Sequence, residues 1–148
     1  MITTVGVLCV VPAVSAASDV QQATSENWSG YVVGGSSSSK DFSSVSGSWV
    51  QPTAKCTSDG GSQYSAFWVG LGGSGSGQSE ALEQTGTEAD CSGSGTPSYF
   101  AWYELVPSAP VKLGLGVHPG DQISSKVSVN GTEVTVAVAD QTTGQSAS

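Results

Sequence analysis

The chain has 148 residues, of which 37% are apolar and only 11% charged, so it is long enough to form one domain with its own core. It carries four Lys and no Arg, a net charge of −8 at pH 7 and a pI near 4.1. Because phosphate contacts need Lys and Arg, this balance argues against nucleic acid and anionic membrane surfaces as partners.

Residues 1–16 resemble a secretory signal peptide. The apolar run Val5–Val14 is too short to cross a bilayer, and Val14-Ser15-Ala16 offers a small-residue cleavage site, although no Lys or Arg precedes the run. A buried first strand is the alternative, but the polar stretch 18–26 follows it. We therefore expect a secreted, extracellular protein.

Short segments of apolar or alternating residues, bounded by Gly, Ser and Pro, predict β-strands. In chain order these are Trp28–Val33, Val45–Gln51, Tyr64–Leu71, Ser79–Gly86 and Ser98–Val106. Alternation through 123–129 and 134–138, on either side of Asn130-Gly131, predicts a hairpin with a type I′ turn at that dipeptide. No segment keeps a helical period, so the pattern predicts an all-β sandwich or barrel.

The carboxyl end of the chain has the pattern of an interrupted sheet. Asp140–Gln145 has the composition of a turn between strands, and the chain reaches Ser148 before any further strand is evident. We therefore expect residues 17–148 to form a single β-sandwich domain that is incomplete at its C-terminus.

Three cysteines are present, and Cys9 lies in the signal-like segment. Cys56 and Cys91 remain as an even pair in Ser/Gly/Asp-rich loops, which predicts a disulfide in an oxidising compartment. The sequence has no CxxC motif and no clustered His, so we expect no metal.

His118 is the only histidine, and it stands in Val117-His118-Pro119-Gly120. This is a turn signature, and we favour a turn residue over a general base. A serine nucleophile is also not indicated, because no GxSxG motif occurs.

An amide and a carboxylate are the better candidates for chemistry. Strand alternation places Gln84 on the face of Leu82, with Glu83 on the other face, and it places Glu104 on the face of Phe100 and Trp102. Polar groups on an apolar-lined face are either hydrogen-bonded structurally or open to a cleft. The pattern alone leaves both possibilities open.

Several short motifs resemble, in the same order, those of the glutamic peptidases, also called eqolisins. They are Asn27-Trp28-Ser29-Gly30-Tyr31, Phe67-Trp68-Val69-Gly70-Leu71, Leu82-Glu83-Gln84-Thr85-Gly86, Ala101-Trp102-Tyr103-Glu104, Pro119-Gly120-Asp121-Gln122-Ile123 and Thr142-Thr143-Gly144-Gln145. The resemblance covers residues 27–145 and is far more specific than any single motif.

This resemblance implies a concanavalin-A-like sandwich of two bent antiparallel sheets and an acid endopeptidase that acts on polypeptides without metal or cofactor. The family's catalytic pair is a Gln and a Glu, and Gln84 matches the Gln. Trp68 and Glu104 match substrate-binding positions of the family's cleft. We expect the protein to be a monomer.

Two departures from the family's pattern bear on activity. Gly72 stands where fungal members often have Asp. The family's catalytic Glu lies beyond the Thr142–Gln145 turn and has no match here, and Glu133 lies before that turn, so it is no substitute. We therefore expect the 148 residues alone to be inactive.

Two other functions compete with the peptidase hypothesis. In a lectin-like module, Trp28, Trp49, Trp68 and Trp102 would form a flat platform for carbohydrate, although core packing is favoured for Trp28 and Trp49. In a glycosidase, paired carboxylates such as Glu83 and Glu104 would act together, which strand alternation disfavours.

Overall fold

The computed structural model describes residue 22 and residues 24–34, 42–58, 61–73 and 81–148. The signal-like segment 1–16 lies outside the described residues, as do most of the polar stretch before residue 24 and the Gly/Ser-rich stretches 35–40 and 74–80. The chain divides into two units, residues 1–31 and 32–148.

The strand predicted at Trp28–Val33 is wrong, because the described backbone from 28 to 33 forms no strand. Tyr31, Val32 and Val33 are all exposed there. Apolar composition is not enough for a strand, which also needs a neighbour for its backbone N–H and C=O groups.

The second unit is all β in its described residues and consists of eight strands. These are β1 (Ser44–Val50), β2 (Ala66–Gly72), β3 (Leu82–Cys91), β4 (Pro97–Leu105), β5 (Val111–Lys112), β6 (Gln122–Asn130), β7 (Glu133–Asp140) and β8 (Gln145–Ala147). They form two antiparallel four-stranded sheets: sheet A in the order β1-β6-β7-β8, and sheet B in the order β2-β3-β4-β5. The prediction of two antiparallel sheets is confirmed. None of the described residues belongs to a helix that could cross a membrane.

The sheets pack face to face over a small apolar core. Ile123 and Val138 of sheet A meet Ala101 of sheet B, with Leu115 and Val117 completing the buried cluster. A Cβ added to Gly47 of β1 would lie only 2.8 Å from a methyl carbon of Val69 in β2, so glycine allows this close approach. The odd-numbered residues of β3 and β4 therefore face sheet A.

Buried hydroxyl groups of β3 form hydrogen bonds both within sheet B and between the sheets. Thr85 and Thr87 of β3 are fully buried. The Thr87 hydroxyl donates to Oε1 of Gln51 at 2.6 Å and accepts from Nε1 of Trp49 at 2.9 Å, while the Thr85 hydroxyl donates to the backbone carbonyl of Trp102 at 2.7 Å. Buried polar groups are tolerated when they are paired in this way.

The predicted β6–β7 hairpin is confirmed, but its turn lies one residue further along. Asn130 pairs with Glu133, so Gly131-Thr132 are the loop residues, and Gly131 has φ of 61° at the first of these. Apolar pairing fixes this register, because it aligns Val127 with Val136 on the core-facing side.

The predicted turn after Asp140 is confirmed and is organised by the side chain of that residue. Its Oδ1 accepts from the backbone N–H of Thr142 at 2.8 Å, and its Oδ2 accepts from the hydroxyl of Thr143 at 2.6 Å. These hydrogen bonds, led by the one from the Thr143 hydroxyl, lower the pKa of Asp140.

The expectation that no strand follows this turn is wrong, since β8 pairs with Val138–Asp140. The disulfide predicted between Cys56 and Cys91 is formed, with a Cα–Cα distance of 5.4 Å. It ties the loop after β1 to the end of β3.

Candidate active site

The odd-numbered and even-numbered side chains of β3 point to opposite faces of sheet B. Thr85, Thr87 and Ala89 point towards sheet A and are buried. Because side chains alternate along a strand, Gln84, Gly86 and the following even-numbered residues point away from sheet A. We call this face of sheet B the outer face. Gln84 shares it with Leu82, as predicted.

Glu104 is the direct neighbour of Gln84 on the outer face. The two residues are paired across β3 and β4, and the side-chain amide of Gln84 donates through Nε2 to Oε2 of Glu104. Both side chains are partly exposed. The amide has a second N–H, which this bond leaves for another acceptor.

Trp68 lies on the same face, and a glycine brings it close to Gln84. Gly70 of β2 pairs with Gln84, and a Cβ added to Gly70 would lie 3.2 Å from a ring carbon of Trp68 and 3.3 Å from Cβ of Gln84. The Trp68 ring thus covers Gly70 and borders Gln84, while 38% of the residue remains exposed. The structure therefore brings Gln84, Trp68 and Glu104 together.

Gly86 continues this surface between two tryptophans. It pairs with Trp68 on one side and Trp102 on the other. A Cβ at this position would overlap the carbonyl oxygen of Phe67, so the backbones of β2 and β3 approach too closely for a side chain here. Trp102 is buried, and its Nε1 has no hydrogen-bond partner among the described residues.

Sequence analysis missed a charged group further along the outer face, because β3 was predicted to end at Gly86. The strand continues to Cys91, which adds Glu88 and Asp90 to the face of Gln84. Phe100 pairs with Glu88, and Nζ of Lys112 lies 3.5 Å from the centroid of the Phe100 ring. The continued alternation of residues 87–90 is the signal that could have revealed them.

Burial raises the pKa of both carboxyls. For Glu88, desolvation is the main cause and the charge of Asp90 adds to it, while the ammonium of Lys112 acts in the opposite direction. For Asp90, desolvation again outweighs Lys112 and a backbone hydrogen bond from Ser65.

Gly72, the first of the two departures from the resemblance, has a backbone that requires glycine. Its φ is 83°, and a Cβ there would overlap the carbonyl oxygen of Ala81. No Asp fits this conformation.

Other candidate residues are not part of this group. Glu83 points to the opposite face from Glu104, as its pairing with Leu105 requires. The His118 carbonyl accepts from the backbone N–H of Asp121 across Pro119-Gly120, and Gly120 has φ of 93°, which fits a type II turn. The predicted turn role is confirmed.

The three tryptophans of the second unit do not form one platform. Trp49 packs against the core between the sheets, as favoured, whereas Trp68 and Trp102 lie on the outer face of sheet B. Trp28, in the first unit, is 42% exposed.

Trp68 is partly exposed on this face, as are Gln84 and Glu104. Two open pockets of about 300 and 320 Å³ lie elsewhere, one beside Tyr103 and Val136 and the other beside Trp49 and Gln122. The described residues contain no group of three His, Cys, Asp or Glu side chains that could hold a metal ion.

Comparison with known proteins identifies the family to which the chain is similar. The model of the peptidase A4 family matches residues 26–148. The chain is also similar to two crystal structures of scytalido-glutamic peptidase, one with a transition state analog inhibitor and one with a peptide based transition state analog. In each case the identity is 34% and the TM-score 0.56.

Each alignment covers 72% of this chain and 48% of the solved chain, so the chain spans about half the length of the structures it matches. A search of curated proteins gave no match. The family match extends over most of the sequence and includes both sheets and the group around Gln84. The chain belongs to the peptidase A4 family, the glutamic peptidases.

Proposed function

We propose that this chain provides the substrate groove and the oxyanion-stabilising half of an acid endopeptidase. In this proposal Gln84 is the catalytic amide, and Trp68 and Glu104 bind the polypeptide substrate on the outer face of sheet B. The observation that carries the proposal is the position of Gln84, which projects away from the core between Trp68 and Glu104.

An amide at this position suits peptide hydrolysis in acid. When water attacks a peptide carbonyl, negative charge develops on the carbonyl oxygen, and a preorganised N–H donor stabilises that charge. The amide of Gln84 does not titrate, so it donates at any pH. Glu104 accepts one amide N–H and holds the group in place, which leaves the second N–H for the substrate.

The second half of the reaction requires a general base. In the glutamic peptidases a Glu activates the water and then passes its proton to the leaving amine. The 148 residues contain no counterpart of that Glu. We propose that they do not hydrolyse peptides by themselves and that a protein containing both residues does.

The proposal is tested first by comparing two proteins on a denatured protein substrate at about pH 3–4, where a carboxyl general base is near its pKa. One is the 148-residue chain, and the other is the same chain with a C-terminal extension that supplies the matching Glu. We expect activity only from the longer protein. Equal activity from the short chain would contradict the assignment of the two catalytic residues.

A second test separates the role of Gln84 from a general loss of fold. In the active protein, Gln84→Ala is expected to reduce kcat by roughly 10²–10³-fold, the usual cost of removing one oxyanion donor. Gln145→Ala is the matched control, because Gln145 is an exposed amide at the start of β8 in the other sheet. A Gln84→Ala protein that is folded and fully active would refute the mechanism.

We also propose that the protein acts outside the cell. The signal-like residues 1–16 and the Cys56–Cys91 disulfide support this, because disulfides persist in oxidising compartments. Fractionation of the native host should then find the protein in the medium, with its N-terminus near residue 17.

A further inference from the structure

The outer face of sheet B carries charges beyond the group around Gln84. Glu88 lies four residues further along β3 on the same face, roughly 13 Å away at the usual rise of a strand. Phe100 stands directly opposite Glu88, and the Lys112 ammonium lies over the Phe100 ring. One anion and one cation thus flank the same stretch of the surface.

These charges are close but not paired. Neither Glu88 nor Asp90 forms a direct ion pair with Lys112 among the described residues, where the one contact of this kind is between the imidazole of His118 and the Asp121 carboxyl. Oδ1 of Asp90 is buried and has no hydrogen-bond partner in the same part of the chain. Unpaired charges beside an open surface can interact with a charge that a ligand brings.

We propose that Lys112, Glu88 and Asp90 form a charge-selective subsite of the substrate groove, and that its preference reverses with pH. With both carboxylates ionised, the three groups sum to −1 and favour a basic substrate side chain. With both protonated, the sum is +1 and the subsite favours an anionic side chain. This inference rests on the proposed function, since it assumes that a polypeptide lies on this face.

The surroundings of the cluster are consistent with this switch. Of the neighbouring outer-face residues, Ala66 and Trp68 of β2 carry no charge, and Tyr64 precedes that strand. Among the residues that the structure describes, the remaining charged group on these strands that faces this side is Glu104, beyond Trp102 on β4. Because burial raises the pKa of Glu88 and Asp90, each takes up its proton at a higher pH than the same carboxyl would in water.

The experiment uses peptides with a non-hydrolysable, hydroxyl-bearing isostere at the centre, titrated calorimetrically into the 148-residue chain. One residue at a time, on either side of the centre, is replaced by Lys, norleucine or cysteic acid. Cysteic acid is used because its sulfonate stays ionised, whereas a substrate Asp titrates near pH 4. Binding is measured at pH 7 and at about pH 3, which is below the ordinary pKa of Asp and Glu, in the same ionic strength.

At one position of the peptide, we expect the Lys peptide to bind more tightly than the cysteic acid peptide at pH 7. In acid we expect this order of affinity to reverse. Each preference should be roughly two- to fivefold, the range for partly exposed charge pairs. Lys112→Met should abolish the acid preference for cysteic acid. Glu88→Gln with Asp90→Asn should leave cysteic acid preferred at both pH values.

Two matched controls remove charges elsewhere. Lys126→Met and Glu133→Gln alter exposed residues of sheet A and should leave the reversal intact. One outcome would overturn this inference and leave the proposed function standing. In it, the norleucine peptide binds and Gln84→Ala weakens that binding, but Lys and cysteic acid peptides bind equally well at every position. Failure of every peptide to bind would overturn both.

Discussion

The hydroxyl of Thr87 joins the two sheets, and replacing it with a methyl group tests how much that connection contributes to stability. Thr87→Val keeps the shape of the side chain but removes both hydrogen bonds to sheet A and its adjoining segment. Oε1 of Gln51 and Nε1 of Trp49 then lose their partner. Nε2 of Gln51 already has no partner among the described residues, so that buried amide would have no side-chain hydrogen bond.

The expected loss of stability follows from these two polar groups, which are left without a hydrogen-bond partner. Leaving a buried donor or acceptor unsatisfied costs about 1–3 kcal/mol. Gln51 is fully buried and Trp49 only partly, so we expect Thr87→Val to reduce the free energy of unfolding by about 2–4 kcal/mol. For a chain of this size that corresponds to a fall in Tm of about 5–15 °C.

The assay is equilibrium unfolding in urea with the disulfide intact, followed by tryptophan fluorescence. Thr87→Ser is the matched control, since it keeps the hydroxyl and loses one methyl group at a cost of about 1 kcal/mol. Adding Gln51→Leu to Thr87→Val should recover part of the lost stability, because the buried amide without a hydrogen-bond partner is removed. A Thr87→Val protein no less stable than Thr87→Ser would refute the reasoning.

Three further predictions concern stability. Gly86→Ala forces a side chain into the β2 backbone and should cost more than about 3 kcal/mol in urea unfolding, whereas Gly114→Ala, with open space around it, should cost at most about 0.5 kcal/mol. Cys56→Ser with Cys91→Ser opens a 35-residue loop and should cost about 3–4 kcal/mol by the same assay. Asp140→Asn should lower Tm at pH 7, and the difference from the parent should shrink on acidification in a pH series of thermal melts.

The sign of the Asp140 effect follows from its hydrogen bonds. They lower the pKa of this carboxyl in the folded state, so the stabilisation is complete above the ordinary Asp pKa of about 4 and is lost as pH falls through the lowered value. A constant Tm difference between pH 7 and strong acid would show that charge is not involved.

The pattern of short apolar or alternating segments predicted the strands that pack apolar side chains between the sheets. It placed β1, β2, β4 and the β6–β7 hairpin within about two residues of their observed bounds. It missed β5 and β8, which are two and three residues long, because such short edge strands are defined by the neighbour they pair with.

The second half of β3 was missed for a different reason. Its buried positions include Thr85 and Thr87, so the inward face does not appear apolar in sequence. These hydroxyls are satisfied only by partners 17 to 38 residues distant in the chain, which local pattern cannot reveal. The same omission hid Glu88 and Asp90, because the strand was expected to end before them.

Alternation along each strand predicted that Gln84 lies on the same face as Leu82, and Glu104 on the same face as Phe100 and Trp102. Both predictions are confirmed. Alternation did not predict that Gln84 and Glu104 stand directly opposite each other, because register depends on how β3 and β4 meet. The closeness of Trp68 likewise depends on Gly70, whose missing side chain gives room for the ring.

The position of Gln84 and the stability of the sandwich are set by the same alternation. A shift of β3 by one residue would expose Thr85 and Thr87, bury the Gln84 side chain between the sheets and break its pairing with Glu104. The hydrogen bonds of Thr87 to Gln51 and Trp49 therefore also hold Gln84 on the outer face. A variant such as Thr87→Val, although its side chain points away from the groove, should weaken peptide binding under conditions where β3 begins to unpair.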